Sequence, residues 1–202
     1  MSKYLFAPQV LERLADRAFF RSFSARILKA CAVIVALYAV IVFFLGWKEL
    51  FELSSEAMIG GIIYQLLFAF ASYLVVHAIL LRARDVRTLD ERIPPAVAVS
   101  AIVARLAGET YAFASSLLGI GGAVFVWFAG RGAGRLLEKA DFALPFLKAA
   151  PASFEAGAAL IIKGVLGGAL ALLLGFLLAE LLVARADRLT DIAARDASRP
   201  HD

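Results

Sequence analysis

Long apolar stretches alternate with short charged segments along the chain. Four apolar stretches occupy residues 27–47, 57–81, 110–130 and 157–183, and charged side chains are rare within them. Each stretch has about twenty residues or more, the length of α-helix that crosses a hydrocarbon core of roughly 30 Å. The pattern therefore predicts an all-α, polytopic membrane protein with four transmembrane helices.

Two amphipathic segments precede spans. Residues 9–25 place apolar side chains at helical spacing beside arginines four residues apart, and residues 96–106 form a similar pattern after Pro94 and Pro95. Such a helix suits either the membrane surface or the cytoplasmic side of the protein itself. We therefore expect short interfacial helices at both places.

The connection 131–156 is long and weakly polar, and it either lies on the membrane or dips into it.

The spans divide the chain into an N-terminal cytoplasmic segment 1–26, a four-helix transmembrane domain 27–183 and a charged tail 184–202. Residues 80–90 and 181–191, each of which follows a span, are identical at six of eleven positions. The chain is therefore either two tandem helical hairpins related by duplication or four spans without a repeat.

Lysine and arginine are distributed unevenly between the two sides of the spans. Of the 21 basic residues, 15 lie in the N-terminal segment together with Lys29 at the start of the first span, in the second connection and in the tail. The positive-inside rule places those segments in the cytoplasm. The alanine- and arginine-rich composition is typical of bacteria, so we predict a multi-pass protein of the plasma (bacterial inner) membrane with both termini cytoplasmic. Trp47, Trp127 and Lys163 then serve as interfacial anchors near the opposite surface.

Four ionisable residues are expected near the cytoplasmic edge of the spans: His77, Arg105, Glu109 and Glu180. In a close four-helix bundle they form one polar cluster. The cluster is either a titrating or ligand-binding site, because histidine beside carboxylates titrates near neutral pH, or a set of interfacial side chains that bond to headgroups and water.

Small residues recur along the fourth span at Gly164, Gly168, Ala171 and Gly175. In membranes, such positions let another helix approach closely. The spacing predicts a helix-packing seam, and it does not identify the helix that fills it.

Motifs for catalysis and cofactors are absent from the sequence. There is no HExxH, Walker-type or GxSxG pattern, and one cysteine with two histidines does not favour a metal or haem site. We assign no catalytic residue, cofactor or metal. The net charge of +4 does not indicate nucleic-acid binding, because the basic residues flank spans, where they contact lipid headgroups.

These features favour a non-enzymatic membrane scaffold or accessory subunit, embedded in the lipid bilayer and associated with other membrane proteins or with itself. Two alternatives stay open. A small transporter or channel component requires polar side chains along the bundle axis. A lipid-active membrane enzyme requires the polar cluster to act at the cytoplasmic interface.

Overall fold

The fold was determined as a computed structural model that describes residues 17–89, 94–129 and 153–197. This part of the chain contains no strand, and each of its helices is long and apolar enough to cross a membrane. The prediction of an all-α polytopic membrane protein is confirmed. The helices are α1 (Arg17–Leu50), α2 (Ser55–Arg87), α3 (Pro95–Ala129) and α4 (Phe154–Ala197).

The interfacial segments are continuous with the spans instead of forming separate helices. Residues 17–25 belong to α1 and residues 96–106 to α3. No glycine or proline interrupts α1 before Gly46, and Pro95 occupies the first position of α3, where its missing N–H costs no helical hydrogen bond. The expectations for residues 9–16, for most of the third connection and for the end of the tail lie outside the described residues.

Residues 51–54 form a tight turn between α1 and α2. The hydroxyl of Ser54 accepts a hydrogen bond from the backbone N–H of Ala57 and caps α2. At the other end of this hairpin, Nη1 of Arg21 donates to the carbonyl oxygen of Leu89 at 2.9 Å. The hairpin is therefore closed at both ends. The second hairpin, α3 with α4, is also antiparallel, whereas the proposed duplication of the two hairpins stays a prediction.

The four helices pack in the order of the chain. The most extensive interfaces join α1 to α2, α2 to α3 and α3 to α4, and α2 and α4 barely touch each other. In the most apolar 18-residue stretch of each helix, 44% of the residues of α3 are buried, compared with 6% of those of α1. Thus α3 lies at the centre, α1 and α4 form the two edges, and a cleft separates α2 from α4.

Aromatic packing joins α2 to α3 at the end of the fold that carries the α1–α2 turn. The rings of Tyr64 and Phe125 stack with centroids 6.0 Å apart, and Leu50, Leu118 and Leu160 belong to the same buried cluster. Because these residues come from all four helices, the cluster fixes the helices together at that end.

The predicted small-residue seam forms the interface between α4 and α3. Gly164 approaches so closely that a Cβ there would overlap the carbonyl oxygen of Ser115, and a Cβ at Gly175 would lie 2.7 Å from the carbonyl oxygen of Ala104. The hydroxyl of Ser115 donates to the carbonyl oxygen of Gly164 at 3.0 Å. Gly168 and Ala171 face the same helix. The seam is therefore filled within the chain and is closed to a second molecule.

Gly164→Leu is expected to force α3 and α4 apart and to destabilise the protein by about 1–3 kcal/mol or more, the usual cost of overpacking. Gly167→Leu is the matched control, because a Cβ at Gly167 meets nothing within 4 Å. The stability of both variants is measured by thermal unfolding in detergent, with the loss of the folded peak monitored by size-exclusion chromatography. Equal stability of the two would contradict the intramolecular seam.

Candidate functional site

The candidate site is a cleft at the end of the helices where α2 ends and α3 begins. We call this end, which carries Arg82, Arg105 and Glu109, the charged end. The cleft has a volume of about 470 Å³ and lies between α2 and α4, with α3 as its floor. Polar side chains contribute to its lining beside leucines and phenylalanines: His77, Arg82, Asp85 and Glu109.

An ion pair across the α2–α3 interface forms the centre of the polar lining. Nε and Nη2 of Arg82 donate to the two carboxylate oxygens of Glu109, with an Nε–Oε2 distance of 3.0 Å, and Nη1 donates to Asp85 at 2.8 Å. The Glu109 side chain is only 14% exposed. A bidentate guanidinium–carboxylate pair that is largely removed from water is strong and directional, so it fixes the relative positions of α2 and α3.

A second ion pair joins α3 to α4 one helical turn away. Nη2 of Arg105 donates to the carboxylate of Glu180, and the guanidinium lies over the Phe176 ring, 5.4 Å from its centroid. The Glu180 side chain is 68% exposed, so this pair is much more accessible to water than Arg82–Glu109. The cation–π contact adds to the attraction between the helices.

The structure divides the predicted cluster of His77, Arg105, Glu109 and Glu180 between these two places. His77 and Glu109 line the same cleft, and the imidazole stacks on Tyr73 with centroids 5.8 Å apart. Arg105 and Glu180 pair with each other on the α4 side, and neither lines the cleft, although Arg105 lies over the ring of Phe176, which does.

Sequence reasoning missed Arg82, which it counted only among the basic residues that set orientation, and Asp85, to which it gave no role. A usable signal exists, however. Arg82 lies twelve residues before Pro94 and Glu109 fifteen residues after it, so antiparallel helices bring these opposite charges to nearly the same depth. Distance from the helix break thus places the two charges at similar depth, and the rotation of α2 and α3 about their axes decides whether they meet.

The predicted anchors lie away from the charged end. Nε1 of Trp127 donates to the carbonyl oxygen of Phe154 at 3.2 Å, and the two rings stack 5.5 Å apart. Trp47 packs between the rings of Phe43 and Phe51. Lys163 is exposed on the outer side of α4. Both tryptophans are thus at the end of the helices opposite the ion pairs.

Within the described ranges, Gln65 and Ser115 are the buried polar side chains. Gln65 packs against Gly46 of α1, and Ser115 bonds to α4. Over the same ranges, no group of three side chains is placed to hold a metal ion. The Arg82–Glu109 and Arg105–Glu180 pairs, by contrast, lie at the charged end.

No protein-family model, curated protein or solved structure matches this chain. Its function must be argued from the residues of the cleft and from the surfaces that the helices expose.

A double-mutant cycle at Arg82 and Glu109 is expected to give a coupling energy of about 1–3 kcal/mol, because each charge alone would be largely buried without its partner. The cycle uses Arg82→Gln, Glu109→Gln and the double variant, with unfolding free energies measured in mixed micelles. The matched cycle at Arg105 and Glu180 should give about 1 kcal/mol or less, because Glu180 is exposed. A larger coupling for the second pair would contradict this account.

Proposed function

We propose that this protein is a non-enzymatic integral membrane scaffold or accessory subunit that associates with other membrane proteins or with a second copy of itself. The observation that supports the proposal is the pairing of its ionisable groups. Glu109 and Glu180, two acids at the charged end, are each engaged by an arginine of a neighbouring helix, and Asp85 is engaged by Arg82. Their charges hold α2, α3 and α4 together.

The association surface that we propose lies between α1 and α2, because α3 already fills the seam of α4. A groove of about 370 Å³ runs between these helices and is almost entirely apolar. Small side chains of both helices lie along it, and larger aromatic side chains flank them: Ala36, Ala39, Ala69 and Ser72, with Phe43, Phe44, Phe68 and Tyr73.

Helix association in lipid depends on close packing, because an apolar side chain gains little by exchanging lipid for protein. Small residues beside aromatic walls allow such packing. The rest of α1 offers mainly bulky aliphatic side chains to its surroundings, including Ile34, which is 65% exposed. Among the uncovered surfaces of α1, the groove is therefore the one best shaped for a partner helix.

A photocrosslinking residue in place of Val40, at the edge of the groove, is expected to give a discrete adduct in intact membranes. The same residue in place of Cys31 is the matched control, since Cys31 is exposed on α1 but does not line the groove. The adduct's mass distinguishes a second copy from another protein. Ala36→Phe should remove the adduct by filling the groove.

Adducts of equal yield at positions 31 and 40, or none at either, would contradict association through the groove. An adduct that survives Ala36→Phe would contradict it as well.

We further propose that the protein resides in a bacterial plasma membrane, which its alanine- and arginine-rich composition favours, with both termini in the cytoplasm, which the distribution of its basic residues favours. A fluorescent protein that matures only in the cytoplasm, fused after Asp202, should then be bright. A phosphatase that is active only outside the cytoplasm should be inactive at the same position. The reverse result would invert the orientation.

A further inference from the structure

The lining of the cleft at the charged end changes from apolar to charged along its length. On α2 its lining extends from Leu74 to Asp85, eleven residues or about 16 Å. Leu74, Phe113 and Leu172 make the part nearer the middle of the helices apolar, whereas Asp85 lies at the opening. A molecule that fills this cleft must therefore have an apolar part and a polar end.

The dimensions of α4 indicate where the cleft lies in a membrane. Phe154, whose carbonyl accepts the hydrogen bond of Trp127, is 26 residues from Glu180, or about 39 Å along the helix. A bilayer with its headgroup regions is roughly 40–45 Å thick. With Trp127 at one interface, the Arg105–Glu180 pair lies at headgroup level on the other side, Arg82–Glu109 lies about one helical turn deeper, and the apolar part of the cleft lies in the hydrocarbon.

The charges of the cleft favour a cationic group. Arg82 contributes one positive charge, and Glu109 and Asp85 contribute two negative charges, which leaves an excess of one negative charge when His77 is neutral. Glu109 is nearly enclosed, whereas the Asp85 side chain is 40% exposed and can accept further hydrogen bonds. A primary ammonium group, with three donors, suits this carboxylate.

Arg82 also has donors left for an anionic group. Three of its N–H groups donate to Glu109 and Asp85, and a guanidinium carries five. A headgroup with both a phosphate and an ammonium therefore finds a donor for its phosphate, Arg82, and an acceptor for its ammonium, Asp85, on the same turn of α2. The cleft opens between α2 and α4, which barely touch, so a lipid can enter sideways from the bilayer.

We infer that the cleft binds one phospholipid whose headgroup carries a primary ammonium, as in phosphatidylethanolamine. The ammonium binds Asp85, the phosphate takes the remaining N–H groups of Arg82, and one acyl chain lies between Phe113 and Leu172. This binding requires no catalysis and does not depend on the association surface of α1.

Native mass spectrometry of the full chain tests the inference. Delipidated protein in detergent is incubated with phosphatidylethanolamine or phosphatidylglycerol of identical acyl chains, and the fraction that retains one lipid is measured. Phosphatidylethanolamine should be retained roughly three- to five-fold more, as expected for one partly exposed ion pair. Asp85→Asn should abolish the preference, and Glu180→Gln, at the same end but outside the cleft, should keep it.

Leu172→Trp is a second variant, which fills the apolar part of the cleft and leaves its charges intact. It should reduce retention of both lipids at least several-fold. Leu173→Trp is the matched control, because Leu173 is 66% exposed and does not line the cleft. Circular dichroism and size-exclusion chromatography establish that each variant is folded.

Equal retention of the two lipids by the wild-type protein would overturn the inference, as would equal retention by Leu172→Trp and Leu173→Trp. Soluble phosphoethanolamine at millimolar concentration should not displace the bound lipid. Displacement would show that the cleft recognises a free metabolite-sized headgroup, and it would overturn the assignment to a lipid.

Discussion

The contact between the backbones of α3 and α4 determines much of the remaining architecture. Apolar side chains gain little when they leave lipid for protein, so membrane helices are held together by close packing and by bonds between polar groups. At Gly164 and Gly175 the absence of a Cβ lets the two backbones meet, and the hydroxyl of Ser115 bonds across the interface. This contact uses one narrow face of α4 and leaves its leucine-rich faces outside.

The cleft follows from the same arrangement. Because α4 packs mainly against α3, and α2 packs on another side of α3, the gap between α2 and α4 is not closed by helix packing. Leu172 and Phe176 of α4 project into this gap and line it. The two arginine–carboxylate pairs, Arg82–Glu109 and Arg105–Glu180, then tie both neighbours to α3 near the mouth of the gap. The site is thus a space left between two interfaces that α3 forms separately.

The sequence predicted the four spans because their length and hydropathy are set by the bilayer itself. It also predicted the seam, since glycines four residues apart on an apolar helix mark one face. It did not identify the partner of the seam. Small residues such as Gly108 and Gly119, which face the seam from α3, are equally expected on a helix of a second molecule.

Arg82 was missed for a related reason. A basic residue beside a span is fully explained by orientation, and its pairing with Glu109 depends on how α2 and α3 rotate about their axes, which periodicity does not specify. Helix continuity was underestimated because amphipathic pattern changes at residues 25 and 106 do not by themselves break a helix.

The cleft proposed for a lipid and the groove proposed for a partner helix lie on different sides of the helix array. The groove proposed for a partner lies between α1 and α2, around Val40 and Phe43, whereas the cleft lies between α2 and α4. The α2 side chains that line the groove and the cleft lie on different faces of the helix. Phe68 and Tyr73 border the groove, whereas Leu74 and His77 border the cleft. The stacking of His77 on Tyr73 is a direct contact between these two faces. Tyr73 borders the groove and His77 borders the cleft, so the two surfaces adjoin at this stacked pair of side chains.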